Sequence, residues 1–273
     1  MITYPNAKIN LGLNIINKRD DGFHNIESLF YPVKLCDILE IIETSEETEF
    51  TSTGIDIPGD ADNNLCLLAW RLLKTDFNIP NVKIHLHKVV PIGAGLGGGS
   101  ADGAFTLTML NDMFELELSV KKLEEYAAKL GSDCAFFIKN TPAFAEGRGE
   151  ILHDFEAILK NKHIALINPG IHISTKEAYS GVKAQALETP LKELLQKPIA
   201  NWQNHIINDF EPSIVKNHPT IGKLIDELQD AGAVYTAMTG SGSSVFGIFE
   251  QEISEKIKDQ FKPYFYWQGV LNS

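Results

Sequence analysis

The sequence is poor in the features that mark several large classes of protein. Of its 273 residues only three are cysteines and only three are arginines, and 24 basic residues face 36 acidic ones. Three cysteines (Cys36, Cys66 and Cys134) without a C-x-x-C pair do not make a disulfide scaffold or a zinc finger, so we expect reduced thiols. The net charge of −12 leaves no basic stripe for phosphates, so we expect no nucleic-acid partner.

Long apolar runs are also missing. No stretch approaches the roughly 20 residues of a membrane span, and residues 1–6 lack the basic start and apolar core of a signal peptide. We therefore expect a cytoplasmic protein with no membrane partner. The composition, 44% apolar and 22% charged, is that of an ordinary globular chain. The length fits one large domain or two intimate ones, and a soft boundary near 154–162 predicts domains at 1–155 and 156–273.

Strand and helix patterns are mixed along the chain, which favours an α+β fold over a doubly wound α/β fold. Period-two alternation predicts strands at 7–15, 24–33, 37–42, 82–89, 163–167, 233–239, 244–249 and 264–271. Helical spacing predicts helices at 63–74, 100–114, 119–131, 176–186, 191–195, 199–209, 220–231 and 253–261. Residues 143–150 predict a glycine-punctuated turn, and the D-G step at 21–22 predicts a hairpin.

The most informative stretch is a glycine loop between a predicted strand and a predicted helix. So many glycines weaken a chain unless bare backbone is needed there, and this geometry presents N–H groups and a helix N-terminus to phosphates. No lysine follows, which excludes a P-loop. The G-x-G-x-x-G pattern also fits a dinucleotide site, but the repeated βαβ units of such a fold are missing. The candidate phosphate-binding residues are Pro91, Ile92, Gly93, Ala94, Gly95, Leu96, Gly97, Gly98, Gly99, Ser100 and Ala101.

Two charged residues are candidates for chemistry, and each has a plainer explanation. Asp133 follows Gly131-Ser132 at a predicted helical turn, where an acid can simply stabilise the helix dipole. Lys8 lies in the first strand, where a lysine is usually solvated, and Asn10 follows on the same strand face. A nucleotide-binding module without catalysis, or a nicotinamide enzyme, therefore remains an alternative at this point.

Three segments together resemble the GHMP family of small-molecule kinases. Residues 91–101 are similar to its phosphate loop, Pro5–Leu13 to its N-terminal motif, and the segment with Gly240, Ser241 and Gly242 to its C-terminal glycine motif. The resemblance covers nearly the whole chain. It implies two domains flanking a cleft, an N-terminal one that binds ATP and a C-terminal one. It also implies ATP and Mg²⁺ as cofactors, and transfer of phosphate to an alcohol.

Further marks narrow the implied substrate. The segments Asp21–His24, Gly131–Asp133 and Phe144–Gly149 resemble family members of the non-mevalonate isoprenoid pathway. These phosphorylate the 2-hydroxyl of a small cytidine-diphosphate-linked polyol. Family members acting on homoserine or mevalonate are the nearest alternative, but their substrates carry no base. A monomer and a homodimer both remain open.

The resemblance also implies roles for individual residues. Lys8 and Asp133 would be catalytic, with Asp133 as the base. The substrate would meet Asn10, Phe23, His24, Thr175 and Tyr179. Phe23 stands where the family commonly has Tyr, which keeps stacking but removes a phenolic hydrogen bond; we expect Phe23 and Tyr179, from different domains, to frame the cytosine. Ser100 caps a helix and would touch the metal or the β-phosphate, and Glu146 is a weaker metal candidate.

Overall fold

The computed structural model describes residues 1–182, 184–185 and 187–271, and it has the α+β fold that the sequence predicts. Its strands are β1 (Ile2–Thr3), β2 (Asn6–Lys18), β3 (His24–Cys36), β4 (Ile38–Thr44), β5 (Glu49–Gly54), β6 (Asn81–Lys88), β7 (Ala143–Glu146), β8 (Ile151–Asp154), β9 (His163–Asn168), β10 (Tyr235–Met238), β11 (Val245–Phe249) and β12 (Phe265–Val270). Its helices are α1 (Leu65–Phe77), α2 (Gly98–Met113), α3 (Val120–Leu130), α4 (Phe136–Lys139), α5 (Thr175–Ser180), α6 (Leu191–Leu195), α7 (Glu211–Asn217), α8 (Pro219–Asp230) and α9 (Lys256–Gln260). None of these helices combines the length and hydropathy that a membrane span requires.

The chain divides into two compact units. Unit 1 contains Met1–Ala7, Leu35–Ile92 and Gly97–Asn140. Its sheet has the order β1-β4-β6-β5, with β5 parallel to β6 and the other pairs antiparallel. Helix α2 contacts β4 and packs against α1, α3 and α4. Alternate residues of β6 are buried, as its period-two pattern predicts, and this register buries the terminal Lys88 as well.

Unit 2 contains Lys8–Lys34, Gly93–Leu96 and the chain from Thr141 onward. One of its sheets has the order β2-β3-β7-β8, and the other, which is antiparallel throughout, has the order β10-β11-β9-β12. Helix α8 packs on β10 and β11, where Leu224 and Leu228 join Ile167 and Val245 in a buried apolar cluster. Such burial is the main stabilising contribution to the unit.

These units are not contiguous in the chain, because Lys8–Lys34 group with the C-terminal part rather than with residues 35–140. The division into family domains at 1–155 and 156–273 therefore stays a prediction. The last two residues of the second predicted domain, 272 and 273, lie outside the described residues.

The prediction of a helix over 199–209 is wrong. Only Ile199–Asn201 forms a short 3-10 helix. Turns follow as far as Ile206, whose N–H donates to the Trp202 carbonyl at 2.9 Å, and the backbone at 207–209 then pairs with β2. The Leu13 N–H donates to the Ile207 carbonyl at 3.0 Å, and the Asp209 N–H donates to the Leu13 carbonyl at 2.8 Å. Backbone groups that bond to a neighbouring strand are not available for helical bonds.

Other differences are smaller. Residues 143–150 hold strand β7 as well as the turn, and the hairpin closes at Gly147 with a φ of +70°. The helix predicted at 176–186 ends at Ser180, and positions 183 and 186 lie outside the described residues. Helix α7 was not predicted, since its Pro at the start of the helix reads as a breaker in the sequence although proline is favoured there. The remaining predicted strands and helices are confirmed, with shifts at their ends.

Candidate functional site

The first glycine loop leads from β6 into α2. Gly93, Gly95 and Gly97 have φ values of +63°, +78° and +70°, a region that favours glycine. Gly97 is the N-cap, and the helix begins at Gly98, two residues earlier than predicted. The first N–H groups of a helix lack intrahelical partners and carry its positive end. The loop therefore offers backbone donors suited to phosphate oxygens.

In unit 1, a buried ion cluster lies beside the start of α2. The Lys88 ammonium donates to Asp37 Oδ2 at 2.5 Å and to Asp102 Oδ2 at 2.6 Å, and all three side chains are buried. Asp37 Oδ1 accepts the N–H groups of Val89 and Val90 at 2.6 and 2.8 Å. Burial raises the pKa of Asp102. The cluster thus joins the chain that enters the glycine loop to the helix that leaves it.

The candidate base also lies in unit 1. Asp133 is half-buried in the turn between α3 and α4. Its neighbour Cys134 is buried, and burial raises the pKa of that thiol to about 11. Helix α2, whose first turn carries Ser100, packs against α3 and α4, the two helices on either side of the Asp133 turn. Two predicted site residues, Ser100 and Asp133, therefore lie on elements of unit 1 that pack together.

In unit 2, Lys8 and Asn10 lie side by side on β2. Lys8 is 4% exposed, and its ammonium donates to Asn10 Oδ1 at 2.5 Å and lies 4.8 Å from the centre of the Phe30 ring. Asn10 Nδ2 donates to Ser28 Oγ at 2.9 Å. A lysine held this way is not on the solvated strand face that its sequence position would ordinarily suggest. The ammonium is preorganised, which suits stabilisation of a developing negative charge.

The C-terminal glycine loop meets the first one within unit 2. Thr239 Oγ1 accepts the Asn10 N–H at 3.0 Å and donates to the Gly95 carbonyl at 3.2 Å. A Cβ at Gly95 would lie 2.0 Å from the Thr239 carbonyl oxygen, and one at Gly240 would lie 2.9 Å from the Gly95 α-carbon. The two loops therefore approach so closely that both positions require glycine. Ser241 and Gly242 continue the second loop, and the Gly242 N–H donates to the Thr239 carbonyl at 3.0 Å.

An aromatic cluster gathers at another part of unit 2. The rings of His24 and Tyr179 are stacked, with centroids 4.8 Å apart and an angle of 22°. Phe23 is 55% exposed and lies under the Arg148 guanidinium, 4.9 Å from the ring centre. The structure puts Phe23 and Tyr179 in the same compact unit, unit 2, and the ring found against Tyr179 is that of His24. Their placement in different family domains stays a prediction. Thr175 is exposed at the start of α5.

The described residues include no group of three or more His, Cys, Asp and Glu side chains arranged to hold a metal ion. A magnesium ion that accompanies a nucleotide usually needs only one or two protein ligands, because phosphates and water supply the rest. The Ser100 hydroxyl in the first turn of α2 fits that role. Glu146 fits less well, since its Oε2 already pairs with His153 Nε2 at 2.7 Å and lies 3.8 Å from Lys192 Nζ.

Some residues of the candidate site were not found from the sequence. Phe30 and Ser28 support Lys8 and Asn10 from β3, and no local pattern marks them. Lys88 had a usable signal, because Val82, Ile84 and Leu86 place it in the buried register of β6. A lysine in that register indicates a buried partner of opposite charge.

Comparisons with known proteins agree with the architecture. The GHMP kinases N terminal domain matches residues 64–143, and GHMP kinases C terminal matches residues 184–266. A 4-diphosphocytidyl-2-C-methyl-D-erythritol kinase of Parabacteroides distasonis is 47% identical over 272 residues, which cover 100% of both chains. The chain belongs to the GHMP kinase family. It is therefore an ATP-dependent kinase.

Other relatives of this kinase are also 4-diphosphocytidyl-2-C-methyl-D-erythritol kinases. One from Bacteroides fragilis is 48% identical over 99% of this chain and 100% of the relative, and one from Cytophaga hutchinsonii is 50% identical over 91% and 92%. A crystal structure of 4-(cytidine 5'-diphospho)-2C-methyl-D-erythritol kinase superposes with a TM-score of 0.85 at 28% identity over 100% of both chains. A mevalonate kinase reaches a TM-score of 0.75 at 15% identity, also over 100% of both, which is a likeness of fold alone.

Proposed function

We propose that this kinase transfers the γ-phosphoryl group of ATP to the 2-hydroxyl of 4-diphosphocytidyl-2-C-methyl-D-erythritol, in the non-mevalonate route to isoprenoid precursors. The names of the full-length relatives support this substrate. The observation that carries the proposal is the stacked pair of His24 and Tyr179, because a kinase for mevalonate or homoserine has no base to receive. Aromatic rings are the side chains on which nucleobases stack.

The reaction breaks the bond between the γ-phosphorus of ATP and the oxygen that bridges the β- and γ-phosphates. ADP leaves with that oxygen. A new bond forms between that phosphorus and the substrate oxygen, and the hydroxyl proton passes to the Asp133 carboxylate. The Lys8 ammonium, fixed by Asn10, stabilises the charge on the transferring group. Such a reaction asks mainly for positioning and charge stabilisation.

The glycine loop binds the phosphates of the nucleotide. The loop from Pro91 to Ala101 receives the phosphates, with the backbone N–H groups of Gly98, Gly99 and Ser100 in the first turn of α2 as donors. Gly240, Ser241 and Gly242 support that loop through the contact of Thr239 with Gly95. Ser100 is the residue that would hold Mg²⁺. Bound there, the ion would supply neutralisation of phosphate charge.

Cytosine recognition falls to the aromatic cluster. The rings of His24 and Tyr179 are in contact, with centroids 4.8 Å apart, so no base fits between them as they stand. A base that stacks on this face of Tyr179 takes the place of the imidazole, which moves to the edge of the base. There the ring nitrogens of His24 can read the cytosine by hydrogen bonds. Phe23 frames the base and Thr175 and Asn10 contact the rest of the substrate.

We also propose the setting in which this kinase works. The excess of acids over bases supports a small-molecule enzyme of the cytoplasm that binds no nucleic acid, acting as a monomer or homodimer. The domains at 1–155 and 156–273 would correspond to the ATP-binding and C-terminal halves of the family fold.

A side-by-side assay tests the proposed function. ATP and Mg²⁺ are supplied with the cytidine-diphosphate-linked polyol, its uridine analogue, mevalonate or homoserine, and ADP formation is measured. We expect kcat/KM to be highest with the cytidine compound. Equal or faster turnover of mevalonate or homoserine would rule out the proposed substrate and leave the kinase family in place.

Replacing Tyr179 with alanine should weaken binding of the cytidine substrate about 5- to 150-fold. The reason is that one aromatic–base stack contributes ~1–3 kcal/mol and 1.4 kcal/mol is a factor of ten. Tyr264→Ala is the matched control, because Tyr264 packs on the same apolar cluster of unit 2 as Tyr179. Calorimetric titration of each variant, beside its melting temperature, makes the test. A Tyr179→Ala variant that binds substrate as tightly as the control would refute the stacking role.

Replacing Gly97 with valine should weaken ATP binding far more than binding of the polyol substrate. The variant adds a Cβ beside the phosphates and strains a residue whose φ is +70°. Gly232→Val is the control, since Gly232 has a φ of +100° and open space around a built Cβ, so it adds backbone strain at the end of α8 alone. Unaltered ATP affinity in a folded Gly97→Val protein would contradict the phosphate-binding role of this loop.

A further inference from the structure

Residues 208–211, Asn208-Asp209-Phe210-Glu211, lie at the start of α7 and contact three parts of unit 2; we call them the 208–211 segment. Asn208 is 2% exposed, and its Nδ2 donates to the carbonyl oxygens of Met238 at 2.9 Å and of Gly240 at 2.8 Å. Its Oδ1 accepts the Phe210 N–H at 3.0 Å, which fixes the orientation of the amide. One hydrogen of the amide is thus directed at the last residue of β10 and the other at the C-terminal glycine loop.

Two carboxylates of the segment hold the strands on either side. Glu211 Oε2 accepts the Met238 N–H at 2.7 Å, and Asp209 Oδ2 accepts the Ile15 N–H at 2.7 Å. Burial raises the pKa of both carboxyl groups. Because Met238 is bonded at both its N–H and its carbonyl, the backbone just before the glycine loop is held at two points.

The contacts of Asn208 continue toward the nucleotide loop. Met238 and Gly240 flank Thr239, whose hydroxyl accepts the Asn10 N–H and donates to the Gly95 carbonyl. A shift of Thr239 would therefore move Gly95 and the strand that carries Lys8.

The ring of Phe210 continues toward the base-binding cluster. It packs edge-to-face on Tyr179, with centroids 4.9 Å apart and an angle of 75°, and Tyr179 in turn stacks on His24. Phe210 is 3% exposed, so its ring is itself fixed by the core.

We infer that the 208–211 segment is a positioning element that sets both substrate sites of unit 2 at once. Asn208 orients the C-terminal glycine loop and, through Thr239, the nucleotide loop at Gly95. Phe210 orients the Tyr179 ring for the base. Asn208 thus affects the site for ATP and Phe210 the site for the cytidine substrate. Neither residue touches a substrate itself, since Asn208 acts through backbone and Thr239, and Phe210 acts through Tyr179. The inference rests on the proposed function for the identity of those substrates.

The first arm of the test replaces Asn208 with alanine. Loss of one hydrogen bond to the loop and one to the residue before Thr239 should lower kcat/KM for ATP about tenfold and change the dissociation constant of the cytidine substrate less than about twofold. Gln203→Ala is the matched control, because the Gln203 amide also bonds β10, at the backbone of Thr236, but not the loop. Hydrogen exchange of the amides at 239–242 should quicken in Asn208→Ala and not in the control.

The second arm replaces Phe210 with leucine, which keeps most of the apolar volume. Loss of the edge-to-face contact should weaken binding of the cytidine substrate about 2- to 10-fold and leave KM for ATP unchanged. Phe249→Leu is its control, since Phe249 is buried in the same apolar cluster. Melting temperatures are measured for all four variants.

The inference is supported if Asn208→Ala impairs mainly the use of ATP and Phe210→Leu impairs mainly binding of the cytidine substrate. A merely structural role would lower stability and affect both substrates alike. Equal losses for both substrates, or effects no larger than those of the controls, would overturn the inference. If the wild-type kinase fails to phosphorylate the cytidine compound, the proposed function fails. The exchange rates at 239–242 still decide the role of Asn208 in that case.

Discussion

Asp133→Asn should lower kcat by about 10²-fold or more, while the dissociation constant for ATP changes little. Asparagine has nearly the same shape as aspartate but cannot accept the hydroxyl proton, and general-base assistance is typically worth that much. Single-turnover measurement of phosphoryl transfer, with both substrates saturating, isolates the chemical step from product release.

Asp112→Asn provides the matched control for Asp133. Asp112 lies near the end of α2 in the same unit, where its carboxylate accepts a hydrogen bond from Asn111, and it is exposed. This variant should retain the wild-type rate. Phosphoryl transfer at a near wild-type rate in Asp133→Asn would eliminate Asp133 as the base and leave the turn before α4 with a structural role.

Lys88→Met should destabilise the protein by about 3–5 kcal/mol, because removing one partner of a buried ion cluster leaves its counter-charges unpaired. Two carboxylates, Asp37 and Asp102, would then share a site that is 0–4% exposed. Urea unfolding monitored by fluorescence measures the loss. Because the cluster lies beside the start of α2, ATP binding should weaken in the same variant.

Lys83→Met is the control for this prediction. Lys83 lies on the same strand and pairs with Glu46 at 2.5 Å, but the pair is exposed and screened by solvent, so its loss should destabilise the protein far less than loss of Lys88. Equal destabilisation by both variants would contradict the importance of the buried cluster.

The effect of pH gives a second readout for Lys88→Met. A carboxyl group whose pKa is raised in the folded state, as burial raises that of Asp102, stabilises the fold below its unfolded pKa near 4. That contribution to stability is lost as the pH rises through the raised pKa of the folded state. Without the ammonium, the pKa of Asp102 should rise further. The stability difference from wild type should therefore narrow as the pH is lowered from 8 to 5.

Local patterns predicted most of the elements and failed where a distant segment intervened. The glycine loop, the helix predicted at 119–131 and the alternation along β6 are each set by residues close in sequence, so they could be read directly. The helix predicted at 199–209 failed at its end because the backbone at 207–209 bonds to β2, nearly 200 residues away. Helical spacing of apolar residues cannot reveal such a competing partner.

An α+β fold and a loop of bare backbone suited to phosphate could be read from the sequence, because glycine density and apolar periodicity are local properties of the chain. The GHMP family followed from the resemblance of the motifs. Folding set what surrounds the chemistry. Lys8 is buried beside Asn10. The contacts of Thr239 with Asn10 and Gly95, and of the His24 ring with Tyr179, join segments up to 229 residues apart in the chain. Their geometry depends on strand register and side-chain packing, which exist only once the chain has folded.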